Sequence, residues 1–124
     1  MQDDDLRVLV VTGGHPFDAE SFFGMVDAAV PGRWDHVAHP EAIEALAPRR
    51  LAAYDVVVRY DMPGVEFTRS DPPAVFHDPP DHHRHDVEAA LASGIGMVFV
   101  HHALAGWPTW DRHADMVGGR FHYQ

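Results

Sequence analysis

The stretch Leu6-Arg7-Val8-Leu9-Val10-Val11-Thr12 (LRVLVVT), closed by Gly13-Gly14-His15, decides how the rest of the chain is read. Apart from Arg7 it is an unbroken apolar, mostly β-branched run, the pattern of a strand covered on both faces as in a parallel sheet. A two-sided strand that stops at paired glycines reads as a first, central strand feeding a turn. Beyond the turn, Asp18 can cap a helix in which Phe22, Val26 and Ala29 recur at i, i+4 and i+7, and Pro31-Gly32 ends it. Strand, glycine turn and helix form half of a βαβ unit.

The same alternation continues outward. Residues 33–38 read as a short second strand and residues 41–47 as a short helix interrupted by Pro48. Residues 54–60 (YDVVVRY) read as a third strand that ends at Asp61-Met62-Pro63-Gly64. From Asp61 to Pro80 there is no periodicity, and Pro63, Pro72, Pro73 and Pro79 break the stretch; a loop of that length reads as a lid, a binding loop or a locally disordered segment. Asp81 then starts a helix with Val87, Ala90 and Leu91 facing inward, closed by Ser93-Gly94. Residues 95–100 give a fourth buried strand followed by His101-His102, and a last helix over 109–117 stops at Gly118-Gly119.

Strand and helix in alternation predict a three-layer α/β fold, a doubly wound parallel sheet with right-handed crossovers. In such sheets ligands bind outside the carboxyl ends of the strands, where the strand order switches. Three turns should therefore share one rim: Gly13 to Phe17, Asp61 onward, and His101 to Trp110.

Composition narrows the chemistry. A length of 124 residues with 46% hydrophobic content suits one domain with a buried core. The formal charge of -10, from 19 acidic against 9 basic residues, opposes a phosphate backbone and makes nucleic acid an unsuitable partner. Every basic residue is an arginine, which removes Schiff-base lysines and the phosphate loop that ends in Gly-Lys-Ser/Thr. Without a single cysteine there is no disulfide framework, thiolate nucleophile or sulfur-ligated zinc, so any metal must use nitrogen and oxygen. The apolar runs at 8–11 and 97–100 fall far short of the roughly 20 residues a bilayer span needs, so no membrane partner is expected. The acidic start Met1-Gln2-Asp3-Asp4-Asp5 is unlike a secretory leader, which gives a cytoplasmic expectation.

Three segments resemble the ThuA-like (trehalose utilisation) family of the class I glutamine amidotransferase-like superfamily. They are Val10-Val11-Thr12-Gly13-Gly14-His15, Tyr54-Asp55-Val56-Val57-Val58, and above all residues 94–121 (GIGMVFVHHALAGWPTWDRHADMVGGRF). In the last, a strand runs into His-His-Ala, then Gly-Trp-Pro-x-Trp, then a helix ending Val-Gly-Gly-x-Phe, a long ordered pattern. The resemblance implies a flavodoxin-like core and a part in carbohydrate catabolism, on a disaccharide or an oxidised (keto) sugar. It spans nearly the whole chain but only the amino-terminal part of the family domain, since family members continue with further strands. The sequence stops at Phe121-His122-Tyr123-Gln124, where another strand is expected, and so reads as truncated. In amidotransferase relatives the turn after the fourth strand carries a cysteine nucleophile; here it reads Val100-His101-His102-Ala103, so the resemblance puts His101 at the thiol position and excludes glutaminase chemistry.

The candidate residues each carry two readings. Gly13 and Gly14 either expose amides to an oxygen-rich ligand or simply make a strand-to-helix turn. His15, at the switch, is a candidate for proton transfer. Side-chain alternation should send one of His101 and His102 to the cleft and the other to a packed face. The resemblance implies that His101 is the general acid/base or metal ligand, which leaves His102 as the core or supporting histidine. Asp61 either orients a histidine or takes a proton, or is a turn starter. Trp107 and Trp110 either stack on a sugar ring or cover the sheet. His82, His85 and Asp86 lie at i, i+3 and i+4 of a helix start, a spacing able to hold a divalent metal such as zinc; the plainer reading is a solvated first turn.

The expected activity is acid/base chemistry on a small-molecule sugar by His101, with His15 and Asp61 assisting and Trp107 as the sugar platform. The alternative is a non-catalytic sugar- or divalent-metal-binding module, or a subunit of a larger assembly. An exposed sheet edge would then support a homo-oligomer.

Overall fold

The computed structural model describes residues 5–121. Residues 1–4 of the acidic start and residues 122–124, part of the stretch where a further strand was expected, lie outside the described residues. The elements in chain order are β1 (Arg7–Gly13), α1 (Ala19–Ala29), β2 (Arg33–Ala38), α2 (Ala42–Ala45), α3 (Pro48–Leu51), β3 (Val56–Asp61), β4 (Val65–Phe67), β5 (Ala74–Phe76), α4 (Asp81–Ala92), β6 (Gly96–Phe99), a 3-10 turn (His101–Ala105) and α5 (Asp111–Val117). β2, β1, β3 and β6 lie side by side in that order, and every pairing among them is parallel.

The two-sided burial expected of the first strand is present. Val8, Leu9, Val10 and Val11 are all buried, and the pleat divides them between two cores. Leu9 and Val11, with Val57 of β3, pack against Ala42, Leu46, Leu51 and Ala90 from the α2, α3 and α4 side. Val8 and Val10 pack against Phe22 and Val26 of α1 on the opposite face. Helices on both faces make three layers. α1 starts where Asp18 accepts a hydrogen bond from the Ser21 backbone N–H at 3.0 Å, the cap expected from its residue type. α5 stops at Gly118, whose left-handed φ of 88° costs a glycine little.

Four sequence expectations need correction. Pro48 opens α3 at its first turn, where its missing N–H costs nothing, rather than merely interrupting a helix. The stretch from Asp61 to Pro80 contains an antiparallel pair, β4 with β5, in the register Val65↔Phe76, Glu66↔Val75 and Phe67↔Ala74. Strands of three residues are too short to show a period. The fourth parallel strand is shorter than expected and is not buried on both faces: it closes the order of the sheet, and Val98 is 49% exposed. Because it ends at Phe99 and the chain enters a 3-10 turn at His101, strand alternation does not govern where His101 and His102 point. No helix among the described residues is long and apolar enough to cross a membrane.

Candidate functional site

Backbone hydrogen bonds beyond the regular ladder knit the turns at the carboxyl ends of the strands into one rim. The His39 N–H donates to the Thr12 carbonyl (3.0 Å), the Met62 N–H to the Gly13 carbonyl (2.8 Å), and the Trp107 N–H to the Pro63 carbonyl (2.7 Å). β1 leads on one side to β2 and on the other to β3, so the Gly13-Gly14 turn sits at the switch in strand order. Gly13 and Gly14 have φ of 121° and 89°, and a Cβ on Gly14 would come within 2.1 Å of the Met62 carbonyl oxygen. Only glycine allows the β1 turn to lie this close to the chain that follows β3.

On the α1 side of the rim three imidazoles meet. His15 and His102 stack with ring centroids 3.9 Å apart and planes within 13°. The His102 ring stands edge-on to His101 at 4.3 Å, and their Nδ1 atoms are 2.8 Å apart, so one must donate and the other accept. Two carbonyl oxygens lie within reach of His15, Tyr60 at 3.0 Å from Nε2 and Pro16 at 3.1 Å from Nδ1, of which a neutral ring donates to one, and the edge of the Tyr60 ring packs at 4.7 Å. Burial, then the charges of His15 and His101, lower the pKa of His102, so its ring is neutral at neutral pH. His101 is exposed and holds φ at 44°, a conformation that an L residue adopts at a cost. The cluster therefore offers a neutral imidazole coupled through one hydrogen bond to a solvent-facing one, a pair suited to passing a proton.

Asp61 does not join that cluster. It is the last residue of β3 and shares the face of Arg59, two residues earlier, so its carboxylate points to the α4 side. Arg59 donates to it through Nη2 at 2.7 Å and Nε at 3.2 Å, and His39 through Nε2 at 2.7 Å. Arg59 is 0% and Asp61 1% exposed. Burial alone would raise the Asp61 pKa, but the Arg59 charge and the hydrogen bonds from His39 and Arg59 overcome it and hold the carboxyl well below the usual range. Asp61 thus orients His39 rather than His15 or His101, and a carboxylate so strongly held is poorly placed to take up a proton itself.

Buried polar groups surround this ion pair. His113 donates from Nε2 to the Ala103 carbonyl at 2.8 Å, and burial lowers its pKa. Burial, reinforced by the charges of Arg59 and His39, takes His83 down to about 4, against the opposing influence of the Ile43 carbonyl. Both rings are neutral at pH 7. Arg59 Nη1, both His83 nitrogens, His113 Nδ1 and the Trp107 indole nitrogen are buried without a hydrogen-bond partner of normal geometry among the described residues.

The remaining expectations fare differently. Trp107 is 6% exposed, lies over Gly64 and meets the His83 ring at 5.7 Å; it is a wall of the α4-side core, not an open sugar platform. Its φ of 41° marks strain in the turn that buries it. Trp110 is half-buried at the start of α5, beside a small groove shared with Pro108 and Arg120. His82, His85 and Asp86 do lie on the first turns of α4, but His82 pairs with Glu44 at 2.9 Å. Among the described residues no group of three or more His, Cys, Asp or Glu side chains converges as a metal site.

Sequence reasoning missed His39, Arg59, His83 and His113. Arg59 had a signal: an arginine inside a buried strand needs an acid, and Asp61 at i+2 faces the same way. His39 had none, since its partner comes from a different strand. Compared with protein-family models, curated proteins and solved structures, the chain gives no match.

Proposed function

We propose that this is a flavodoxin-like, ThuA-like protein of carbohydrate catabolism that acts on a disaccharide or a keto-sugar by histidine acid/base chemistry at the carboxyl rim of its sheet. The observation that carries the reading is the contact of His15, His102 and His101, from turns after different strands, beside the glycine turn at the switch in strand order. The all-parallel order β2-β1-β3-β6 supports the flavodoxin-like assignment. The motif from Gly94 to Phe121 supports the family. His102, neutral and linked to His101, serves as the base, and His101 exchanges the proton with solvent or substrate. A sugar fits better than a heavily phosphorylated ligand because the chain carries a charge of -10.

The test is turnover of a panel of disaccharides, aldoses and keto-sugars followed by NMR. At least one should be consumed, and His101→Ala and His102→Ala should each slow it by about 10²–10⁴-fold. Full turnover by both variants overturns the reading. A subunit role is the second reading, favoured by the outer edge of β6, which pairs with no further strand among the described residues, and by Val98, half exposed on that strand. Sedimentation at micromolar concentration decides it: dimers or larger species support edge pairing, and a clean monomer removes it.

A further inference from the structure

We infer that His39, held by Asp61 and Arg59, is a second proton acceptor at this rim and works through its Nδ1. The inference deepens the proposed function and rests on it for the place where chemistry occurs.

Asp61 is ionised and only accepts hydrogen bonds, so the His39 nitrogen 2.7 Å from it must carry the hydrogen. A neutral His39 ring then has its lone pair on Nδ1, which makes no hydrogen bond to the described residues. Arg59 fixes Asp61 from the other side with two hydrogen bonds, so the carboxylate cannot turn away and the tautomer is set. Asp61 and Arg59 are positioning residues, and His39 is the group that would touch substrate.

Burial separates this pair from the other histidine–carboxylate pairs among the described residues. His77 with Glu66 and His82 with Glu44 are surface pairs whose carboxylate side chains are 66% and 61% exposed, the kind that contributes little and orients little. The Asp61 side chain is 1% exposed, yet its histidine keeps 12% of its own side chain open. His83 and His113, at 0% and 2%, have no such opening and no hydrogen-bonded carboxylate among the described residues, and are structural. A buried, charge-clamped acid behind a partly open imidazole is the arrangement that orients a general base.

Location agrees. His39 follows β2 directly, and a Cβ on Gly13 would come within 3.0 Å of the His39 Cβ and backbone nitrogen. The Gly13-Gly14 turn therefore has His39 against Gly13 and His15 immediately after Gly14. On an α-hydroxy ketone, His39 Nδ1 would take the proton from the carbon beside the carbonyl. The broken C–H bond leaves its electron pair in the enediolate C=C bond and the charge on the former carbonyl oxygen, and the proton returns from the imidazolium to the same carbon, or to the neighbouring one once the hydroxyl proton has passed to that oxygen. No oxidant or reductant is needed.

The experiment uses dihydroxyacetone and fructose as probes in D2O, with NMR reading the replacement of carbon-bound hydrogen by deuterium. Wild type should catalyse exchange, and His39→Gln should lower kcat by about 100-fold or more while KM stays within about twofold. Long-range ¹⁵N spectra of wild type should show His39 with its hydrogen on Nε2, and the remaining histidine signals should persist in His39→Gln as proof of folding. Exchange by His39→Gln at the wild-type rate, or a His39 ring with its hydrogen on Nδ1 alone, overturns the inference. If that happens while His101→Ala and His102→Ala abolish sugar turnover, the proposed function stands without His39. If wild type exchanges neither probe, the inference falls, and the sugar panel judges the proposed function separately.

Discussion

His15 and His102, one from the turn after β1 and the other from the turn after β6, stack face to face at 3.9 Å. The contact needs both turns on the same end of the sheet, which parallel strands guarantee and antiparallel ones would not. Stacking and proton chemistry can be separated by substitution. His102→Phe keeps a ring over His15 and should change stability by less than about 1.5 kcal/mol, while abolishing the sugar turnover expected of wild type. Urea unfolding and the NMR turnover assay check the two halves; a Phe variant with intact turnover would leave His102 a purely structural ring.

Acid should destabilise the fold in two stages. The unfolded state takes up a proton on His83 near 6.5, whereas the folded state resists until about 4. Stability is therefore full above about pH 6.5 and falls as the pH drops from there to about 4, by about 3 kcal/mol from His83. His113 and His36, also lowered by burial, act in the same direction. Asp61 adds a second loss below its ordinary value of 3.8, as protonation breaks its pairs with Arg59 and His39. Urea unfolding between pH 7 and 4 should show the first stage, and His83→Gln should remove most of its slope. An unchanged slope contradicts the assignment.

The Arg59–Asp61 pair should cost more to halve than to remove. Asp61→Asn leaves a guanidinium that is 0% exposed without its counter-charge, and a loss of about 3–5 kcal/mol follows. The double variant Arg59→Met with Asp61→Leu replaces both charges by apolar bulk and should be more stable than Asp61→Asn alone. Denaturation midpoints at pH 7 check the order; a double variant less stable than the single one would show that the pair does more than neutralise itself.

Two glycines should respond in opposite ways to alanine. Gly14→Ala forces a methyl to within 2.1 Å of the Met62 carbonyl oxygen at φ 89°, and should lower stability by more than about 2 kcal/mol. Gly24 lies inside α1 with nothing within 4 Å of an added Cβ, so Gly24→Ala should stabilise by up to about 1 kcal/mol. Melting temperatures of the two variants compare them directly.

Much of this was legible from pattern alone. The run Val8 to Val11 is apolar on both faces because helices cover both, and the glycines after it stop where the backbone needs positive φ. That the turn of His15 and the turn of His101-His102 would share one rim followed from parallel order, without any contact being visible in the sequence. What stayed hidden was long-range or very short. His39 meets Asp61 only because β2 and β3 flank β1, and β4 and β5 are too brief for their alternation to register. Asp61 was placed on the correct rim without a partner being named; the i+2 relation to Arg59 fixes the face it shares, and the proline and glycine after Asp61 drew attention to a turn instead.

In the proposed function the imidazoles of His15, His101 and His102 form the surface that receives a small carbohydrate. Ring ¹⁵N–¹H spectra of the whole chain, titrated at pH 7 with the panel of disaccharides, aldoses and keto-sugars, test it most directly. Saturable shifts of these three rings are expected with at least one sugar, while the surface pairs of His77 and His82 stay still. Rings that remain unmoved across the panel, or that move no more than His77 and His82, would contradict it.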